Sequence, residues 1–472
     1  MNPFFIPIYQ LYLLQLENYE LLRYWRLLFL KGYIYPKQPL RKSIVWTKKA
    51  LGILFLSLIF YVSSAGILFA SVSIITIVAY FIIGFFLFPI FYSIALFFLW
   101  PFDFIVKQIF ISQAKRILSS SKNVKVIGVA GSYGKTTMKN IISSVLSAKF
   151  NVLTTPESVN TPIGIAQWLL KNFKKQTDVV IIEMGEYYQG DIAYISSITP
   201  PDIAVLTGVN EAHLERLQTL ETSIATTFEI VEHAKENATI ILNADDEHIR
   251  NNYKKYRNGK RTSFYSSINN SLAELKIVNK AFDEKKLHWS CTIETIGTIT
   301  IPLLGEYAIG DVIAAILIGK ILGMNSDDMK KGIASISPIP HRLEPIEGKG
   351  GVLVIDDSYN GNPNGVSEAI HVLSRFKNRR KIFITPGLVE MGAKAASVHK
   401  VIGKALADTA DRVILVKTSV TPYIKKGLEE KKFDESHIIW FNTADEAHKG
   451  LSNIVKEHDV VLFQNDWGDQ YI

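Results

Sequence analysis

Apolar positions follow different rhythms along this chain. From Leu51 to Trp100 no Asp, Glu, Lys or Arg interrupts an apolar run. A helix needs about 20 apolar residues to cross a bilayer once. The stretch therefore predicts two crossing helices, with Ser71 and Ser73 marking the turn between them. Pro89 falls in the second, where neighbouring helices can absorb a kink. Residues 8–30 mix Leu, Tyr and Trp with Gln15, Glu17, Glu20, Arg23 and Arg26. They predict a helix that either lies on a membrane surface with its aromatics at headgroup level, or packs on the folded part of the chain. From Val124 onward the rhythm changes to short β-branched runs separated by helical stretches. The runs are Val124–Ala130, Val179–Glu183, Ile203–Thr207 and Thr239–Leu242, then Val352–Ile355, Lys381–Thr385, Val413–Val416, Ile438–Phe441 and Val460–Phe463. Strands alternating with helices imply parallel sheets covered by helices. Residues 262–302 read instead as short strands and turns, an insertion before the chain returns at Leu303.

Length and charge refine this picture. The 472 residues suggest two or three folded units. Ile-Ser-Pro-Ile-Pro at 336–340 marks a boundary, so the predicted parts are 1–50, 51–100, 120–337 and 338–472. The formal charge is +8, yet residues 1–50 hold eight basic and two acidic residues, a net +6 that leaves only +2 for the rest. The basic excess thus sits beside the apolar stretch and not on the folded domains, which argues against a nucleic-acid partner. Arg41, Lys42, Lys48 and Lys49 precede the stretch, and Lys107, Lys115 and Arg116 follow it. Basic flanks at both ends place both in the cytoplasm, and predict a multi-pass protein of the cell membrane with cytoplasmic catalytic domains. A cleaved signal peptide does not fit, because the first apolar stretch carries acids and no small-residue site follows. The single cysteine, Cys291, excludes an intrachain disulfide and a multi-cysteine metal site.

The candidate chemistry begins where the Val124–Ala130 run meets Gly131-Ser132-Tyr133-Gly134-Lys135-Thr136-Thr137 ahead of a helix. A strand feeding a glycine loop at a helix N-terminus presents backbone N–H groups and a helix dipole to an anion. Gly131 and Gly134 permit close approach, Lys135 can neutralise β- and γ-phosphate charge, and Thr136 can ligate Mg²⁺. Residue 129 is Val, so the spacing is the shorter G-x-x-G-K-T-T form. Glu183-Met184-Gly185 ends the next apolar strand, and Ala212-His213-Leu214-Glu215 follows the one after. Carboxyl ends of parallel strands gather on one edge, where Glu183 and His213 can hold Mg²⁺ against phosphate oxygens.

These residues resemble the Mur ligase superfamily, most closely the UDP-N-acetylmuramoyl-tripeptide–D-alanyl-D-alanine ligases. The resemblance covers about residues 120–472 and includes Thr-Pro-Glu-Ser-Val-Asn-Thr-Pro-Ile-Gly at 155–164, Leu242-Asn243-Ala244-Asp245-Asp246, Arg342-Leu343-Glu344, Asp357-Ser358-Tyr359-Asn360-Gly361-Asn362-Pro363, and Gly387–Gly392 with His399 beyond. It implies a P-loop central domain with a parallel sheet and a C-terminal Rossmann-like α/β domain. It also implies an ATP- and Mg²⁺-dependent ligase that phosphorylates a carboxylate and lets an amine attack the acyl phosphate. By the resemblance, Lys135, His213 and Arg342 are catalytic. The loop 131–137, Arg342 and Asp357 hold nucleotide, and Thr136, Glu183 and His213 hold metal. Asn160, Thr161, Tyr359, Asn360 and Asn362 face substrate. The implied partners are a UDP- or lipid-linked peptidoglycan precursor and a small amine or dipeptide such as D-alanyl-D-alanine.

The chain departs from the family in several places. Membrane-like sequence replaces the N-terminal domain that grips UDP. Thr227 stands where the family carbamoylates a lysine to hold a second metal, so either Glu229 nearby substitutes or the second metal binds weakly. The family's Gly-x-His-Asn-x-x-Asn reads Gly305-Glu306-Tyr307-Ala308-Ile309-Gly310-Asp311, and its Lys-Gly-Ser reads Gln464-Asn465-Asp466. The asparagine expected after Thr207 is Gly208, with Asn210 close by. Two other functions fit the same residues: a membrane-bound poly-γ-glutamate synthase-like or other Mur-like ligase, and a non-catalytic nucleotide-sensing scaffold.

Overall fold

The structure, a computed structural model, describes residues 5–30, 44–69, 74–121, 123–157, 159–210, 217–359, 361–389 and 391–465. The expected turn at Ser71 and Ser73, and the site residues His213 and Asn360, lie outside them. The chain forms two compact units, residues 1–109 and 110–470.

In the first unit the predicted single helix over 8–30 is two, Phe5–Leu16 and Leu21–Leu30. Asn18 and Tyr19 adopt left-handed backbone at φ 52° and 64° and end the first helix. Part of the apolar surface of these two helices packs within this unit, while Leu22 and Phe29 stay exposed. Leu11, Leu14, Tyr24 and Leu28 are buried with Ile53, Tyr61, Phe88 and Tyr92 of the apolar stretch. The Trp25 indole donates to Ser93 Oγ at 3.1 Å and the Tyr92 hydroxyl to the Pro7 carbonyl at 2.8 Å. That stretch supplies two helices, Lys48–Phe69 and Ile74–Ser120, the second with Pro89 and Pro101 inside it. Segments of both, Lys48–Gly66 and Phe86–Ser120, are long and apolar enough to cross a membrane.

The second unit is built on two six-stranded sheets, the α/β class that the strand–helix alternation predicts. The central sheet contains β1 (Lys125–Ala130), β2 (Val152–Thr154), β3 (Val179–Glu183), β4 (Ile203–Leu206), β5 (Thr239–Asn243) and β6 (Arg261–Tyr265). Its order is β2-β3-β1-β4-β5-β6, parallel throughout. Burial on both faces explains the unbroken apolar runs of β1, β3 and β4. One face packs on helices Lys135–Ser147, Tyr307–Ile321 and Ser326–Ala334. The other packs on Pro162–Asn172, Asp191–Ile198, Leu220–Glu232 and the chain from Phe110 to Leu118. Residues 110–118 therefore belong to this core, ten residues before the predicted domain start.

Only part of the expected insertion at 262–302 is separate. Its first residues complete β6 at the edge of the parallel sheet. The remainder forms an antiparallel sheet of β7 (Ile277–Asp283), β8 (His288–Ile293) and β9 (Gly297–Ile301). Cys291 lies in β8 as a buried filler. The third sheet joins β10 (Glu344–Glu347), β11 (Leu353–Asp357), β12 (Lys381–Thr385), β13 (Arg412–Val416), β14 (Ile438–Phe441) and β15 (Val460–Gln464). Its order is β10-β11-β15-β12-β13-β14, and only β10 runs antiparallel.

Candidate active site

The phosphate loop forms where β1 ends between β3 and β4. The register Val129↔Glu183 and Ala130↔Leu206 sets Glu183 on one side of the loop and Thr207 on the other. Gly131 sits at φ 141°, and a Cβ there would lie 2.2 Å from Thr207 Oγ1 and 2.9 Å from the Gly208 carbonyl, so only glycine fits. Gly134 is left-handed and caps helix Lys135–Ser147 without a side-chain bond, which leaves the helix N-terminus open to an anion. The Lys135 ammonium turns back onto the Gly131 carbonyl. Thr207 Oγ1 donates to the Tyr133 carbonyl and braces the loop. The Tyr133 hydroxyl donates to Asp246 Oδ2 at 3.0 Å, and burial holds that phenol well above its ordinary pKa. Asp246 also caps the next helix through Ile249 N at 2.9 Å, while Asn243 Nδ2 donates to the Thr207 carbonyl at 2.7 Å. The Asn-Ala-Asp-Asp run is thus a brace for the phosphate loop.

A cavity of about 600 Å³ opens above the loop. Ser132, Tyr133, Gly134, Lys135, Thr136, Thr137, Glu183 and Asn160 line it from the central sheet, and Arg342, Asp357, Tyr359 and Asn362 from the third sheet. Thr161 does not line it; it is exposed at the start of helix Pro162–Asn172. Thr136 Oγ1 donates to Glu183 Oε2 at 3.1 Å. The same oxygen lies 3.0 Å from Lys139 Nζ, and both side chains are buried. The contact is an ion pair without hydrogen-bond geometry. Sequence reasoning missed Lys139, whose only signal was its place one turn beyond Lys135.

Opposite, Arg342 Nη1 donates to the Tyr359 carbonyl at 3.0 Å and its guanidinium stacks 4.8 Å from that ring. Burial raises the Asp357 carboxyl to about 7 despite the pull of Arg342 and of Leu343 N, which donates to it at 3.2 Å. Asn362 Oδ1 accepts from Asn364 N and Gly365 N, both at 3.1 Å, and so caps helix Pro363–Ser374. Asn210 reaches across from the central sheet to Asn362 Oδ1 at 3.3 Å and Asn364 Oδ1 at 2.8 Å. The two sheets therefore meet at the cavity mouth through side chains of both.

The sequence matches the model of the Mur ligase middle domain over residues 129–319 and that of the Mur ligase glutamate ligase domain over 341–464. This chain belongs to the Mur ligase family. Its relatives include the UDP-N-acetylmuramoyl-tripeptide–D-alanyl-D-alanine ligase of Bacillus subtilis, 28% identical over 347 residues, 73% of each chain. The enzyme of the same name from Escherichia coli is 29% identical over 67% of this chain and 70% of its own. MurF ligase from Thermotoga maritima, solved in complex with ADP, superposes with a TM-score of 0.67 at 27% identity, covering 76% of this chain and 80% of that one. As a Mur ligase the chain is an ATP-dependent carboxylate–amine ligase, with ATP and Mg²⁺ as its cofactors.

Several departures of this Mur ligase acquire a structural meaning. Gln464 accepts from Thr385 Oγ1 at 2.8 Å and Asn465 Nδ2 donates to the Gly387 carbonyl at 2.5 Å, so both hold the third sheet's loops. His399 does the same from outside the cavity. Its Nε2 accepts from Leu388 N at 2.8 Å, and burial lowers its pKa. Asp311 lines the cavity, nearly buried, with Oδ2 unpartnered among the described residues, and burial raises its carboxyl well above the usual range. Glu229 is committed elsewhere. It accepts from Gly190 N at 2.7 Å and Ala193 N at 3.0 Å and so closes the N-terminus of helix Asp191–Ile198. It cannot supply the carboxylate expected beside Thr227, and it does not line the cavity.

Proposed function

We propose that this ligase joins D-alanyl-D-alanine, or a similar small amine, to the peptide of a muramoyl precursor, and that residues 1–109 hold it at a membrane. One observation carries the reading: a single cavity collects the phosphate loop from one sheet and Arg342, Asp357 and Asn362 from another. A carboxylate becomes a good electrophile once its oxygen is phosphorylated, and a two-sided site can hold nucleotide and acceptor until it closes.

In this reading Lys135 and the loop amides from Gly131 to Thr137 receive the phosphates. Thr136, Glu183 and His213 hold Mg²⁺, whose contribution is to spread the charge of the transferred group. The hard oxygen donors of Thr136 and Glu183 suit that ion. Arg342 and Asp357 approach the nucleotide from the third sheet, and Asn160, Tyr359, Asn360 and Asn362 shape the acceptor side. His213 and Asn360 enter on sequence alone.

The exposed apolar side chains of residues 1–109 favour a membrane site, where a lipid-linked acceptor would be within reach. Phe55, Val62, Phe97, Trp100 and Phe102 are each more than 60% exposed, which costs least in lipid. Phosphate release by the full-length protein, with UDP-linked and lipid-linked precursors offered in turn with D-alanyl-D-alanine, tests the reading. Turnover that depends on both a muramoyl peptide and the dipeptide supports it. Turnover indifferent to the dipeptide sinks it, and a preference for glutamate as the amine would favour the poly-γ-glutamate alternative.

A further inference from the structure

Glu186 lies three residues beyond the end of β3 and lines the cavity at 2% exposure. Its Oε2 accepts from Thr227 Oγ1 at 2.8 Å, and its Oε1 has no partner among the described residues. Among the described residues no lysine, arginine or histidine pairs with it. Lys139 is taken by Glu183, and Lys135 lies on the Gly131 carbonyl. A buried carboxylate is costly unless a cation or enough donors compensate it. Here one oxygen is held by a hydroxyl and the other is buried without a partner, in a side chain that lines a polar cavity beside the phosphate loop. We infer that Glu186 is a ligand for a second divalent cation at the phosphate site, with Thr227 fixing its carboxylate from behind.

The inference rests on the reading of the phosphate loop as a Mg²⁺–nucleotide site. It explains two features that the reading leaves open. Thr227 brings a hydroxyl where the resemblance leads one to expect a carbamoylated lysine, and Glu229 is used up in capping a helix. The carboxylate instead enters from the β3 side. Thr227 then acts as the outer partner that orients a metal-binding carboxylate. Two hard cations on phosphate oxygens would clamp both ends of the transferred group, with carboxylate, water and phosphate as the oxygen donors that Mg²⁺ prefers.

Mn²⁺ binding reports this without any turnover. Full-length protein in detergent, saturated with a non-hydrolysable ATP analogue, is titrated with Mn²⁺, and the free ion is read by electron paramagnetic resonance. Two Mn²⁺ per chain in the native protein and one in Glu186→Gln are expected, with analogue affinity and melting temperature as checks on folding. Thr227→Val should keep two sites and weaken the second by roughly 10-fold or more. That variant tests the geometry even if Glu186→Gln folds poorly. One Mn²⁺ in the native protein, or equal stoichiometry in native protein and Glu186→Gln, overturns the inference and leaves the first site standing. No nucleotide-dependent Mn²⁺ at all removes the phosphate-loop reading together with it.

Discussion

Replacing Lys139 with methionine should destabilise the nucleotide-free protein through Glu183. Lys139 is 1% exposed and its ammonium lies 3.0 Å from Glu183 Oε2, itself on a residue 4% exposed. Methionine fills most of the lysine stem, so little cavity cost is added. What remains is a buried carboxylate held by Thr136 Oγ1 at 3.1 Å and the surrounding dipoles. Breaking one side of a buried ion pair costs about 3–5 kcal/mol. The surviving threonine bond puts the expectation at the lower end, about 3 kcal/mol. For a folded unit of this size that corresponds to a fall in melting temperature of roughly 4 °C. Mg²⁺ with nucleotide supplies Glu183 with a new cation, so the variant should regain more on ligand addition than the native protein does. Melting curves for native protein, Lys139→Met, Glu183→Gln and the double variant, each with and without Mg²⁺–ADP, measure the terms. The cycle should return a coupling of about 2 kcal/mol or more between the two positions. A loss below about 1 kcal/mol in Lys139→Met, or the same loss with Glu183 already neutral, would refute the argument.

Lys135→Ala should cut phosphate release about 100-fold or more while leaving the melting temperature near native, because its ammonium caps only the Gly131 carbonyl. Asp311 carries a raised folded-state pKa, so the folded protein binds the extra proton. Its stabilising contribution is complete below the unfolded carboxyl pKa and is lost as pH rises through the folded one. The native melting temperature should therefore fall more steeply from pH 5 to 9 than that of Asp311→Asn, and parallel curves would count against this. Asp357, raised to about 7, adds a component that both proteins share. A chain starting at Phe110 should bind ADP and melt higher than one starting at Ser121. The second lacks the buried Ile111 and Ala114, and a fully buried isoleucine side chain alone is worth about 1.5–3 kcal/mol.

What could be read in advance, and what could not, follows from how local each signal is. Strands buried on both faces announce themselves, and β1, β3, β12 and β13 were legible to within a residue or so. The three-residue β2, the edge strand β6 and the antiparallel β10 were not, since an exposed or short edge carries no apolar run. The phosphate loop is contiguous, and its spacing and flanking elements were enough to locate it. Lys139 and Glu186 were illegible for the opposite reason. A lysine one turn into an amphipathic helix looks like a solvated cation until Glu183 closes over it. Glu186 looks like an ordinary loop acid until burial strips its second oxygen of partners. The misplaced expectation at Glu229 shows the same gap. Distance along the helix made Glu229 the natural neighbour of Thr227, but the amides of Gly190 and Ala193 claim its carboxylate. The residue that does touch Thr227 lies forty-one positions away in sequence and comes from another element. A threonine in place of a longer side chain leaves room there, and a glutamate from the β3 loop occupies it. Each substitution alone looks like the loss or gain of one polar group, and only the fold joins them into one buried pair beside the phosphate site.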